Sequence, residues 1–147
     1  MRIAVASDHA GYEPPPPLYK PAIAKHIEGR GHEVLDLGAF GPEAVDYPDC
    51  ADKVCAAVLE GKVDRGVLLC GTGIGMAIAA NRHKGIRAAT CANRDMARFA
   101  RTHNDANVIC LGRRVLGLEQ CLDLIDIWLD TPFSEAERHR RRIEKMG

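Results

Sequence analysis

The sequence carries no excess charge of either sign. Lys plus Arg and Asp plus Glu stand at 20 each, so no net field draws the chain to nucleic acid or to a membrane surface, and an anion would need a local cluster. No apolar stretch is long enough to span a bilayer, and the chain enters a strand pattern at once with Arg2-Ile3-Ala4-Val5-Ala6 in place of a signal peptide's apolar core. The expectation is a cytoplasmic protein. The six cysteines (Cys50, Cys55, Cys70, Cys91, Cys110, Cys121) form no C-x-x-C pair and no zinc-like Cys/His spacing. Most lie in apolar surroundings, which favours reduced thiols. Repeats and linkers are also absent, and 147 residues with 46% apolar content suit one domain with a real core.

What is present is an alternation. Five short apolar or β-branched runs, Ile3 to Ser7, Glu33 to Leu37, Gly66 to Cys70, Ile86 to Thr90 and Asn107 to Leu111, recur between helical patterns. The helical patterns cover Leu18 to Arg30, Asp49 to Glu60, Ile74 to Arg82, Arg94 to Thr102, Leu118 to Leu129 and Glu135 to Lys145. Such alternation predicts βαβ units, a parallel sheet with helices on both faces, and all strand C-termini on one edge. Ser134 with Glu137 three residues on predicts a capping box for the last helix. The helix from Leu118 is apolar around most of its circumference, which predicts cover on two sides, from a second subunit or from deep burial in the monomer. Glu13-Pro14-Pro15-Pro16-Pro17 excludes helix beyond a first turn and predicts an extended rim near the ligand edge, or else a plain surface loop.

The chain is organised around Gly66-Val67-Leu68-Leu69-Cys70-Gly71-Thr72-Gly73-Ile74-Gly75. A buried strand there turns into a helix through three alternating glycines, which let backbone approach a ligand and leave N–H groups free for an anion. The dinucleotide fingerprint fails, since counting G-x-G-x-x-G from Gly71 lands on Met76 and from Gly73 on Ile78, and no Gly-Lys-Ser/Thr follows. Cys70 at the strand end is either an inert core thiol or a reactive one. Lowering a thiol from about 8.5 to about 7 takes roughly 2 kcal/mol of preference for the thiolate. A helix terminus supplies only about 0.3 to 1 kcal/mol, so direct hydrogen bonds from the loop amides are required.

Other groups fall at strand ends: Asp8-His9 after the first, Asn93 after the fourth and Arg113-Arg114 after the fifth. His103-Asn104 precedes the fifth strand at a helix C-terminus, a position that suits a proton shuttle or merely a helix-end cation. Arg138 and Arg142 reach one point on a helix face, as a phosphate clamp or a solvated basic end.

Taken together, Ser7-Asp8-His9-Ala10-Gly11, Asp46-Tyr47-Pro48, Cys70-Gly71-Thr72-Gly73-Ile74-Gly75 with Ala79-Ala80-Asn81, His103-Asn104-Asp105-Ala106-Asn107, Gly112-x-Arg114 and Arg138-His139-x-x-Arg142 resemble the type B ribose-5-phosphate isomerases and the related galactose-6-phosphate isomerases. The resemblance runs almost end to end in motif order. It implies a three-layer α/β/α sandwich with a five-stranded parallel Rossmann-like sheet, and a metal-free aldose–ketose isomerase of phosphorylated sugars with no cofactor. It further implies a homodimer, or a tetramer, whose active sites take residues from both subunits. Residue by residue, it implies Cys70 as the base at C1 and C2, Thr72 and the amides of Gly71, Gly73 and Gly75 at the oxyanion, Asp8 between the two oxygens and His103 opening the ring. Asn104 would hold a hydroxyl, Tyr47 would line the substrate site, and His9, Arg114, Arg138 and Arg142 would take the phosphate. Met76 stands where one branch of the family has a glutamate base, which aligns the chain with the cysteine branch. The departure is the Pro14 to Pro17 run, about five residues longer than usual there. Isomerisation of a four- or six-carbon sugar phosphate, and a silent phosphate- or nucleotide-binding module, are the competing expectations.

Overall fold

The alternating pattern becomes five strands and six helices in the computed structural model, which describes residues 1–147. In chain order they are β1 (Arg2–Ser7), α1 (Tyr19–Gly29), β2 (Glu33–Asp36), α2 (Tyr47–Leu59), β3 (Arg65–Cys70), α3 (Ile74–Ala80), β4 (Ala88–Thr90), α4 (Arg94–Thr102), β5 (Val108–Gly112), α5 (Leu118–Asp130) and α6 (Glu137–Met146). A short 3-10 turn, His9–Tyr12, follows β1. Every strand pairing is parallel, in the order β2-β1-β3-β5-β4.

Side chains alternate across the sheet with the period of two that a strand imposes. Ile3, Val5, Val67, Leu69, Ile109 and Leu111 meet α1, α4 and α5 on one face, through Ile23, Ile27, Ala97, Ala100, Leu124, Ile125 and Trp128. Ala4, Ala6, Leu68, Cys70, Val108 and Cys110 meet α2 and α3 on the other, through Cys50, Val54, Met76 and Ala80. The result is a three-layer α/β/α sandwich around an all-parallel sheet, as expected. Each fully buried Val, Leu or Ile contributes roughly 1.5–3 kcal/mol of burial. One charge pair joins this core: Lys20, 1% exposed, bonds Asp36 at the end of β2, with its ammonium 4.7 Å from the Phe40 ring.

Two local expectations need correction, at the last helix and at the proline run. The capping box at the last helix does not form: Ala136 is the N-cap and no side chain caps it. The Ser134 hydroxyl is engaged elsewhere, 2.7 Å from His139 Nδ1, and the helix starts at Glu137 instead of Glu135. On α5 the chain itself supplies much of the cover, in line with the burial alternative. Cys121, Leu124, Ile125, Trp128 and Leu129 are buried, and Leu118, Leu122 and Ile127 pack partly buried against the same core. The exposed apolar residues lie elsewhere, including Ile74 and Ile78 on α3 and Met96 and Phe99 on α4. Finally, Pro14 to Pro17 are exposed and bent, not a straight extended rim.

Candidate active site

In an open parallel sheet, ligands gather beyond the strand C-termini where the chain order reverses. Here that point lies between β1 and β3, and two of the expected residues meet there. Ser7 stands in register with Leu69, and the next residue, Asp8, donates its N–H to the Leu69 carbonyl at 3.2 Å. Asp8 is 7% exposed, and its carboxylate accepts the Ala10 N–H at 2.9 Å as the cap of the 3-10 turn.

The glycine loop carries the anion-binding geometry. Gly73 caps α3 with φ +80, a left-handed conformation that excludes a Cβ at little cost only for glycine. That turn aims the Gly73 N–H at Cys70 Sγ, 3.1 Å away. Ile74 N–H meets the Thr72 hydroxyl at 3.3 Å, whereas the amides of Gly71, Thr72 and Gly75 donate to nothing within the chain. Gly75 is required for another reason: a Cβ there would meet the Tyr47 ring at 2.6 Å. Tyr47, in the first turn of α2, therefore lies directly on the loop.

Among the six thiols the sulfur of Cys70 is the one that accepts a backbone N–H. Burial pushes Cys55 up to about 11 and Cys91 and Cys121 up to about 12, and raises Cys50 and Cys110 as well. The thiols of Cys55 and Cys91 act as donors, to the carbonyls of Ala80 and Ala89. Five cysteines thus behave as small core residues.

Arg114 and His9 complete this edge. Arg114 bonds back to Gly71 through its N–H at 2.9 Å, and a Cβ on Gly71 would lie 3.4 Å from Arg114 Nη1. His9 Nδ1 accepts the Val45 N–H at 3.4 Å. Asn93, the strand-end residue after β4, is engaged as the N-cap of α4.

The remaining expected residues sit at the opposite edge. His103 is the C-cap of α4, ahead of β5, and Asn104 follows it. The imidazole of His103 is held between two rings, Phe99 at 4.7 Å and His139 at 4.5 Å between centroids. Desolvation together with Arg138, His103 and Arg142 holds the His139 imidazole below its ordinary value, which places all four in one electropositive cluster. A cavity of about 580 Å³ opens on this edge, lined by Arg82, Lys84, Arg87, Asn104 and Ile143 among others. Cys70 pairs with Gly112 at the far end of β5, so about four rises of strand, roughly 13 Å, separate the two edges.

The chain therefore brings together Asp8, His9, Tyr47, Cys70, Gly71, Thr72, Gly73, Gly75 and Arg114, and separately His103, Asn104, Arg138 and Arg142. It does not join the two groups. Sequence reasoning missed Glu13, whose carboxylate takes Arg114 at 2.9 Å, and the ring contacts around His103. The Phe99 contact had a signal in its i, i+4 spacing from His103; Glu13 and Arg114 lie 101 positions apart and had none.

Comparison with known proteins adds an independent line. The chain matches the Ribose/Galactose Isomerase family over residues 3–146. It is 43% identical to ribose-5-phosphate isomerase B of Escherichia coli (strain K12), over 99% of this chain and 93% of that one. It is 42% identical to ribose-5-P isomerase B of Listeria innocua, over 99% and 95%. Among solved structures, ribose-5-phosphate isomerase B of Clostridium thermocellum superposes with a TM-score of 0.94 at 50% identity, covering 100% of this chain and 95% of that chain. The Thermotoga maritima enzyme gives 0.92 at 49% identity, covering 99% and 96%.

Proposed function

The chain belongs to the ribose and galactose isomerase family, which makes it a sugar-phosphate aldose–ketose isomerase, and on that premise we propose that it interconverts ribose 5-phosphate and ribulose 5-phosphate with Cys70 as base. The thiolate of Cys70 takes the C2 proton of the open-chain aldose, the electron pair forms an enediolate, and the proton returns to C1. Asp8 moves the second proton between the two oxygens. Thr72 and the free amides of Gly71 and Gly75 stabilise the negative oxygen, a preorganised arrangement of the kind that is often the largest catalytic contribution. Tyr47 lines the site and His9 and Arg114 draw in the phosphate.

The observation that carries this reading is the Gly73 N–H on Cys70 Sγ at 3.1 Å. It supplies the direct donor that a helix terminus alone is too weak to replace.

His103, Asn104, Arg138 and Arg142 act in the same reaction from a second copy of the chain, opening the ring and closing on the phosphate. The active unit is a homodimer, with a tetramer as a pair of such dimers. Supporting this are the wide separation of the two groups and the apolar surface left open beside the loop, Ile74 at 56% and Ile78 at 59% exposure one helical turn apart.

The test is proton exchange. In heavy water with ribose 5-phosphate, the protein labels C1 or C2, and Cys70→Ala lowers that labelling by about 10²–10⁴-fold, the usual contribution of a positioned base, while inorganic phosphate still binds. Unchanged labelling in Cys70→Ala sinks the cysteine mechanism. A panel of four-, five- and six-carbon sugar phosphates separates ribose 5-phosphate from the other substrates that the Pro14–Pro17 loop beside the site invites; a higher kcat/KM on another length replaces the substrate and keeps the mechanism.

A further inference from the structure

The proline run is not a loose appendage. Its first end is fastened by Glu13, whose carbonyl accepts Arg113 Nη2 at 3.4 Å and whose carboxylate accepts Arg114 Nε and Nη2 at 3.3 and 2.9 Å. Its last end is fastened by Tyr19, which lies under the Arg113 guanidinium at 4.2 Å and donates its hydroxyl to the Leu116 carbonyl at 2.9 Å. Arg113 Nε is buried without a partner, and the contacts that hold the guanidinium are the Glu13 carbonyl and the Tyr19 ring. The segment Glu13–Tyr19 is thus a strap whose two ends close on one dipeptide, Arg113-Arg114.

A guanidinium offers five donors in a rigid planar fork, so fixing one edge fixes the direction of the others. With Nε and Nη2 occupied by Glu13, Nη1 has no protein partner, and it is the Arg114 nitrogen nearest Gly71. We infer that Glu13 is a positioning residue: it clamps one edge of Arg114 so that the free Nη1 donors face the glycine loop and set where the substrate's phosphate docks. The carboxylate of Glu13 is held below its ordinary value by the hydrogen bond from Arg114, so the clamp is charged at neutral pH. A phosphate anchor acts equally on bound substrate and transition state, so its misplacement appears in KM and not in kcat.

This rests on the reading of Arg114 as part of the phosphate site, and the experiment separates the two. Steady-state kinetics on ribose 5-phosphate and competition by inorganic phosphate are measured for Glu13→Ala, Arg114→Ala and the double variant, with thermal midpoints as a check on folding. Glu13→Ala raises KM about tenfold with kcat within about twofold. Arg114→Ala raises KM at least as far and weakens inorganic phosphate, and the double variant matches Arg114→Ala within about twofold, because Glu13 acts only through that side chain. A normal KM in Glu13→Ala, or multiplying effects in the double variant, overturns the positioning role while the phosphate site stands. If Arg114→Ala leaves both KM and phosphate inhibition unchanged, the phosphate assignment fails and the role of Glu13 falls with it.

Discussion

At the scale of single residues, the backbone conformation of Gly73 carries more than its missing side chain suggests. Its left-handed φ of +80 turns the N–H toward Cys70, and an added Cβ would come within 3.0 Å of the Leu111 carbonyl carbon. Gly73→Ala is therefore expected to cost roughly 1–3 kcal/mol, seen as a lower thermal midpoint, and to reduce kcat more than tenfold by moving the donor off the sulfur. His139 gives a pH prediction whose direction follows from its surroundings. Its folded imidazole is depressed below 6.5 by desolvation, Arg138, His103 and Arg142. The folded state thus favours the neutral ring, and the unfolded chain binds the proton more readily. Stability is complete above the unfolded value and declines as pH falls through about 6.5 toward the folded value. Thermal melts between about pH 7.5 and about pH 5.5 should show this fall, and His139→Gln should flatten it; an unchanged slope would remove His139 as the cause.

At the scale of elements, periodicity was enough to read the layers. The runs that became β1, β3 and β5 are apolar at nearly every position because each strand faces a helix layer on either side, and the glycines after Cys70 mark a strand-to-helix turn on their own. Elements whose partners are remote were not legible. Not every miss was remote: Ser134 sits at the right spacing for a capping box, but its hydroxyl is taken by His139, five residues on in α6 itself. An apolar circumference on α5 announces burial without saying which chain provides it. The junction between α1 and β2 shows the same limit, since nothing in the spacing of Lys20 and Asp36 marks them as partners. With Lys20 buried and bonded to the partly exposed Asp36, Asp36→Ala leaves a buried ammonium without its counter-charge. The expected loss is about 3–5 kcal/mol in chemical denaturation, and a loss below about 1 kcal/mol would mean that Lys20 gives up its proton or finds another partner.

At the scale of the whole molecule, the two groups of expected site residues lie on opposite edges of one sheet, and this much was legible: Cys70 ends β3 whereas His103 and Asn104 precede β5, so parallel strands set them at opposite ends. The approach of α6, which carries Arg138 and Arg142, to the C-terminus of α4 was not legible, because it depends on packing between remote segments. If two chains complete each other, variants defective in different groups should restore activity when mixed. Equal amounts of Cys70→Ala and Arg138→Ala, exchanged through mild denaturant, would give half hybrid dimers with one intact site in two, about a quarter of the parental activity. Mixtures as inactive as either variant alone would place both groups in the service of a single chain.

The distance from Cys70 to His103 along β5 then has a consequence for regulation by abundance. If two copies complete each other's catalytic centre, turnover per chain declines on dilution below the dissociation constant of the dimer and recovers on concentration. Any agent that wedges onto Ile74 and Ile78 would silence the protein without ever approaching the sulfur.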